Sequence, residues 1–289
     1  MPVIEAVLQD LRFAARTFRR APGFSLVAIA TIAVGVGAAT AVFSVVDAVL
    51  LRPLPFERPE ALVLVGEYNV ETGRGYNDVS PANFLDWRAR SRSFTGLAAF
   101  REQFFTTTLG DHPERVRGAM VNANFFEVLG ARPALGRPFH ADDEGTGAAR
   151  VAIIGAGLWR EQFGGRRDAI GRTLRLDGEL YTVVGVLPHG IDYPDAAQVW
   201  VTGHWRVPDD PRHLGEDPSG ERHHNYLFAL GRMEPGTARG HAQADMSAVA
   251  AGLAREYQDS DATTGVRVTA LHDDLVGNVR PTLRLLFLA

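Results

Sequence analysis

The longest apolar stretch in the chain is Phe24 to Val46, 23 residues without a charge, whose only polar members are Ser25, Thr31, Thr40 and Ser44. A helix rises about 1.5 Å per residue and a bilayer's hydrocarbon core is about 30 Å thick, so about 20 residues span it. A soluble helix of that length shows a polar face, and this one shows none. The pattern predicts a transmembrane helix over residues 23–51. Before it, Ile4, Leu8, Leu11, Ala15 and Phe18 recur at helical spacing, with Arg12, Arg16, Arg19 and Arg20 on other faces. That reads as a basic amphipathic helix over residues 1–22, lying along the cytoplasmic interface. A new apolar run, with Leu283, Leu285, Leu286, Phe287 and Leu288, occupies the other end. It predicts that residues 278–289 start a second, truncated membrane helix.

Between these segments the period changes. Leu62 to Tyr68, Phe100 to Leu109 and Val116 to Val121 read as strands. Ser80-Pro81 reads as a cap and first helical residue, opening a helix through Arg88. Asn122-Ala123-Asn124 leads into a short helix that stops at Gly130. A second block, about 131–200, holds a strand at Arg150 to Ile154 and a helix around Leu158 to Phe163. It also holds Thr173 to Leu176 and Glu179 to Val186 on either side of Asp177-Gly178, a strong hairpin signal. After a polar loop, Val207 to His224, come a strand at Tyr226 to Gly231 and a helix from Pro235-Gly236-Thr237 to about Tyr257. The stripe Ala242, Met246, Val249, Leu253 and Tyr257 should pack that helix on a sheet. The expected fold is an α+β extracytoplasmic domain over 52–277, in two lobes with one (about 131–200) inserted in the other, on an N-terminal transmembrane helix.

Charge adds orientation. Four Arg precede the span, which favours a cytoplasmic N-terminus. Residues 53–279 carry 23 Arg against 31 acidic residues, a net of −8, so the domain beyond is acidic. All 30 basic residues are Arg, and the overall net charge of −4 does not point to nucleic acid. A cleaved signal peptide competes with the span, but its apolar region would be about 7–15 residues. With no cysteine, disulfides, thiolate zinc sites and cysteine nucleophiles are excluded.

Candidate chemistry is sparse. His204, His213, His223 and His224 with Asp209 and Asp210 match no zinc spacing and are expected in a solvated loop. Gly35-Val36-Gly37 and Gly155-Ala156-Gly157 both lack the third Gly of a dinucleotide-binding turn. There is no G-x-S-x-G elbow, and without Lys there is no nucleotide-binding P-loop. Trp87 and Trp159 are expected as core anchors. No catalytic, cofactor-binding or metal-binding residue is expected. The one residue-level expectation is a small-residue row, Ala33, Gly37 and Ala41, through which the membrane helix packs on another.

Over almost its whole length the chain resembles the MacB-like permeases of ABC transporters, especially the acidobacterial-type orphan permease branch. The resemblance rests on Leu11-Arg12, Pro22-Gly23-Phe24 and Val49-Leu50-Leu51-Arg52-Pro53-Leu54-Pro55. It continues in Ser80-Pro81-Ala82-Asn83-Phe84, Asp86-Trp87-Arg88, Asn124-Phe125-Phe126 and Leu129-Gly130. Its most specific parts are Leu158-Trp159-Arg160, Phe163-Gly164-Gly165, Ile170-Gly171-Arg172 and Val183-Val184-Gly185-Val186-Leu187-Pro188. The family implies an inner-membrane permease with a periplasmic core domain between its first two membrane helices and three further helices downstream. It implies a separate cytoplasmic ABC ATPase, a permease dimer or an internally duplicated full-length chain, and a periplasmic adaptor. It implies ATP-driven efflux by mechanotransmission, with no cofactor and no enzyme activity in this chain. The competing expectation is a single-span, membrane-anchored periplasmic binding or sensor domain without transport activity.

Overall fold

The computed structural model describes residues 22–46, 54–75, 78–109 and 112–277. The chain divides into two units, residues 1–53 with 276–289, and Leu54–Leu275. The expected interfacial helix before Pro22 and the apolar run at 278–289 lie outside the described residues.

In the first unit, helix α1 (Pro22–Val46) runs 25 residues without a charge. Two of its hydroxyls are satisfied inside the helix. Thr31 Oγ1 donates to the Val27 carbonyl at 2.9 Å, and Thr40 Oγ1 to that of Val36 at 2.8 Å. Such back-bonding lets Thr sit in an apolar helix. Leu26 and Val34 are about 70% exposed, at 71% and 72%. Several α1 side chains lie outside the described set, and over the described residues alone no helix is long and apolar enough to cross a membrane. The membrane span therefore rests on the sequence.

The second unit is a mixed α/β domain. Its elements in chain order are β1 (Leu62–Asn69), β2 (Asp78–Val79), α2 (Pro81–Arg90), β3 (Phe94–Leu109), β4 (His112–Val121), α3 (Phe125–Leu129), β5 (Leu135–Gly136) and β6 (Val151–Ile154). There follow α4 (Ala156–Phe163), β7 (Thr173–Leu176), β8 (Glu179–Val186), β9 (Val199–Thr202) and β10 (Leu227–Met233). The last are α5 (Arg239–Glu256), α6 (Gln258–Asp261), β11 (Thr264–Ala270) and α7 (Leu271–Gly277). The strands form one sheet in the order β11-β1-β10-β3-β4-β9-β6-β8-β5, with β2 on β10 and β7 bridging β3 and β8. Strands β3, β4, β9, β6, β8 and β7 thus close a ring. Pairing is antiparallel except for β4 with β9 and β6 with β8.

The strand sequences explain this layering. β1 reads Leu62-Val63-Leu64-Val65, and all four side chains are buried. A strand buried on both faces needs such an unbroken apolar run, because successive side chains point to opposite sides. Leu62 and Leu64 join one core with Phe100, Val121, Ile153, Val184 and Trp200. Val63 and Val65 join another, beneath α2 and α5, with Phe84, Trp87, Met246 and Leu253. The third core fills the ring, with Phe105, Met120, Ile154, Leu158, Val183 and Val201. The first core reaches from β1 to β8. The segment expected as an inserted lobe, about 131–200, contributes β5 to β8 and the first residues of β9 to this same sheet.

Several local expectations take structural form. Asp177 (φ 48°) and Gly178 (φ 88°) both turn left-handed between β7 and β8, the two-residue hairpin that Asp-Gly encodes. Gly130, at φ 72°, ends α3. In α5, Ala242, Met246, Ala250 and Leu253 are buried, with Val249 and Tyr257 partly so. Trp87 is buried; Trp159 packs against the ring core and donates Nε1–H to the Arg166 carbonyl at 2.8 Å.

Other expectations need correction. Ser80 makes no side-chain cap bond to α2, because its hydroxyl is turned to a buried carboxylate. β3 and β4 start at Phe94 and His112 rather than Phe100 and Val116, because residues 94–99 pair with β10 and the polar start of β4 pairs with β3 along a long hairpin. The Pro235-Gly236 turn precedes α5, which begins only at Arg239. The strands β9 and β11 carry no strong local signal and were not expected.

The join between β4 and β9 is tight at Gly118. A Cβ there would stand 2.6 Å from the Val199 carbonyl oxygen and 2.7 Å from the Phe105 ring. Gly118→Ala should therefore destabilise the domain by about 1–3 kcal/mol, through overpacking against backbone. Urea denaturation of the detergent-solubilised chain measures it; a change below about 0.5 kcal/mol, the usual range for surface sites, would contradict the tight join.

Candidate functional site

The residues that the sequence singles out as a motif, Ser80 to Arg88, fold into a dense polar site. Glu67, on β1, is 6% exposed. Its Oε1 accepts from Ser80 N (3.2 Å), Ser80 Oγ (3.3 Å) and Asn83 Nδ2 (3.0 Å), and its Oε2 from Asn225 Nδ2 (2.8 Å). Asn83 Nδ2 also donates to Asp261 Oδ1 at 3.0 Å. Arg222 donates to Asn83 Oδ1. Its Nη2 reaches Asp86 Oδ2 at 2.5 Å, and its guanidinium lies 3.6 Å from the Tyr257 ring centroid. One network thus fastens β1, α2, the 221–225 loop and α6. Burial raises the Glu67 carboxyl, although the bonds from Asn83, Asn225 and Ser80 act to lower it. Phe84 and Trp87, on the same helix, point into the core.

Arg88, the motif's last residue, lines an open cleft of about 940 Å³. Phe126, Phe139 and Ala131 supply apolar walls; Glu57, Glu127 and Arg132 add charges, and His140 an imidazole. Burial lowers the Arg88 pKa, and nearby Glu144 acts to raise it. Burial likewise raises the Glu144 carboxyl, against bonds from Ala123 N (3.1 Å) and Asn122. A cleft of this size and lining accommodates part of an amphiphile. Its described lining residues include no Ser, Thr or Tyr hydroxyl that a neighbouring base could activate as a nucleophile.

The histidine-bearing loop is not wholly solvated. Val207, Pro208, Asp209 and Asp210 are buried. His204 Nδ1 lies 2.6 Å from Asp209 Oδ2, while His224 and His213 approach Asp210 Oδ2 at 2.9 and 3.3 Å. Burial would raise Asp210, but the Arg212 N–H and both histidines outweigh it and hold its carboxyl low. The backbone N–H of His223 donates to Glu221 Oε1 at 2.6 Å. These contacts pin the loop by pairs. Among the described residues no group of three or more His, Asp or Glu is placed to hold a metal ion.

On α1, Ala33 and Gly37 are exposed, and a Cβ at Gly37 would meet nothing within 4 Å. The side chain of Ala41 lies outside the described set. The Glu67 network was not read from the sequence. Its carboxylate sits inside an apolar strand, Leu62 to Tyr68, and that lone acid was the available signal.

Comparison with known proteins follows the same lines. The model of one family, the MacB-like periplasmic core domain, matches residues 25–249. A domain of a predicted permease protein from Porphyromonas gingivalis superposes with a TM-score of 0.54 at 15% identity, covering 75% of this chain and 93% of that one. The periplasmic region of MacB from Actinobacillus actinomycetemcomitans superposes with a TM-score of 0.50 at 11% identity, covering 76% and 92%. No curated protein sequence matches.

The raised Glu67 carboxyl sets a pH dependence. A carboxyl whose folded pKa lies above its unfolded value, 4.5, contributes stability below that value, and this is lost as pH rises through the folded pKa. The wild type should therefore lose stability relative to Glu67→Gln between about pH 5 and about pH 7.5. Urea midpoints at both pH values test this; parallel shifts in the two proteins would contradict it. Glu67→Ala, which strands four donors, should cost about 2–4 kcal/mol at either pH.

Proposed function

The chain belongs to the family of MacB-like periplasmic core domains, and on that premise we propose that it is part of a permease subunit in an ABC-type export or mechanotransmission system. Residues 23–51 form its first membrane helix, with the N-terminus cytoplasmic and residues 52–277 in the periplasm of a bacterial inner membrane. Residues 278–289 begin the second helix, and about 131–200 are a lobe inserted in sequence that shares the sheet and the first core with the rest of the domain. A separate cytoplasmic ABC ATPase drives it, the permease works as a dimer or duplicated chain, and the periplasmic domain handles substrate or an adaptor.

The observation that carries this reading is the family match over residues 25–249, which starts inside the uncharged helix α1 and takes in most of the domain. The orientation is supported by the four Arg before the span and by the acidic domain after it. Packing through Ala33, Gly37 and Ala41 is supported by the open, Cβ-free surface at Gly37. The domain's part in coupling is mechanical on this reading. A sheet with one shared core moves as a body, so motion of the membrane helices is handed to it whole.

The cysteine-free sequence makes topology directly testable. In intact cells, Glu234→Cys, at an exposed turn, should react with a membrane-impermeant maleimide once the outer membrane is permeabilised. Arg16→Cys should react only after lysis. The subunit should also co-purify with an ABC ATPase, and Gly37→Leu should cut the complex's ATP turnover by about tenfold. Labelling at residue 16 from outside, or ATP turnover unaffected by Gly37→Leu in a folded complex, would contradict the orientation or the packing role.

A further inference from the structure

An aromatic side chain stands outside the cores on the long β3–β4 hairpin. Along one face of β3, Phe100 is 2% exposed, while Glu102, Phe104 and Thr106 are exposed. Phe104, at 44% exposure, is clasped by two guanidiniums from β4. Arg115 Cζ lies 3.9 Å from its ring centroid and Arg117 Cζ 5.6 Å. The ladder register sets this arrangement, with Phe104 opposite Arg117 and Thr106 opposite Arg115. Arg117 also pairs with Asp195 at 2.5 Å; no carboxylate among the described residues forms an ion pair with Arg115.

Both ends of the domain come to this face. Leu54 packs against the first core beside Phe56, whose ring meets that of Tyr193 at 6.3 Å. Tyr193 in turn lies 5.5 Å from Phe100. At the other end, Asp274 is close enough to raise the pKa of both Tyr193 and Glu102, after the larger effect of burial. Its neighbour Leu275 is 43% exposed. Glu102 precedes Phe104 by two residues, on the same side of the strand. The chain therefore enters and leaves the domain on the face of β3 that carries Phe104, and the entering segment also meets Arg232 through the Glu57 carbonyl at 2.8 Å.

We propose that Phe104, Arg115 and Arg117 rest on the anionic phospholipid headgroup layer of the membrane that anchors the chain. This rests on the membrane anchoring proposed above. The chemistry fits: an aromatic ring is favoured at the depth of the headgroups, and guanidinium forks donate paired hydrogen bonds to phosphate. Each basic residue near an anionic leaflet adds attraction, and guanidiniums stacked on a ring keep their edges free for it. The acids nearby oppose this only in part. Asp195 is paired with Arg117, Asp177 accepts from the Thr106 N–H at 2.7 Å, and the Asp274 carboxyl is raised by burial.

The full chain in nanodiscs of phosphatidylcholine with phosphatidylglycerol tests this by spin labelling. Nitroxides are placed singly through Thr106→Cys beside the cluster, Glu234→Cys at the opposite end of the β3–β10 ladder, and Ala33→Cys in the span. At residue 106, accessibility to oxygen over a nickel chelate should exceed that at 234 by about threefold. Adding Arg115→Gln with Arg117→Gln, or removing the phosphatidylglycerol, should bring 106 towards 234. A lipid-exposed label at 33 with a fully water-exposed one at 106 would overturn the headgroup contact while leaving the anchor in place. A label at 106 immobilised but shielded from both relaxers would overturn it in favour of a protein partner. Water-like values at 33 as well would overturn the anchoring itself.

Discussion

The parallel pairing of β4 with β9 is the constraint on which the domain depends. It is the seam between the antiparallel strands β11, β1, β10, β3 and β4 and the strands that follow them around the ring. A parallel pair brings together segments far apart in sequence, here residues 118–121 with 199–202. Two residues make the seam possible. Gly118 lets the Val199 carbonyl and the Phe105 ring approach closely. Trp200, fully buried, fills the shared core opposite Phe126 and ties its Nε1–H to the Tyr193 carbonyl at 3.0 Å. The two halves are separate only on the other face, where one core lies beneath α2 and α5 and another inside the ring.

Much of this architecture was legible because local chemistry and global role coincide. Asp177-Gly178 is a hairpin wherever it sits, since both residues tolerate left-handed backbone. The Leu62–Val65 run is a doubly buried strand in any reading, and the α5 stripe had to meet a sheet. What escaped was non-local. Val199–Thr202 is four residues long and becomes a strand only because β4 and β6 flank it. Thr264–Ala270 is polar enough to pass for a loop, and its free edge is held by Gln243, whose side-chain amide bonds Val266 O and Val268 N at 2.7 and 2.8 Å. Ser80 looked like a cap and is instead a ligand of Glu67, because a buried carboxylate draws every donor within reach. The small-residue row was legible as a pattern, but its partner helix is not a property of one chain.

The polar network and the seam hold different parts of the domain together. The seam couples the two halves of the sheet, while Glu67 and Arg222 fasten α2 and α6 to the strand that follows the domain's entry. On the proposed reading, a domain that relays motion would need both, since a body with a soft joint dissipates the displacement it receives. The motif Ser80 to Arg88 then reads as structure rather than chemistry. Ser80, Asn83 and Asp86 serve the network, Phe84 and Trp87 the core, and Arg88 the open cleft.

Native-state hydrogen exchange across the β4–β9 seam tests the central claim most directly. With one shared core, the amides of Val199–Thr202 and of Leu62–Val65 should exchange through the same global opening, with free energies that agree within about 1 kcal/mol and fall together in denaturant. If β6, β8 and β9 instead open several kcal/mol below β1 and β10, residues 131–202 form an independently unfolding lobe, and the single-body account is wrong.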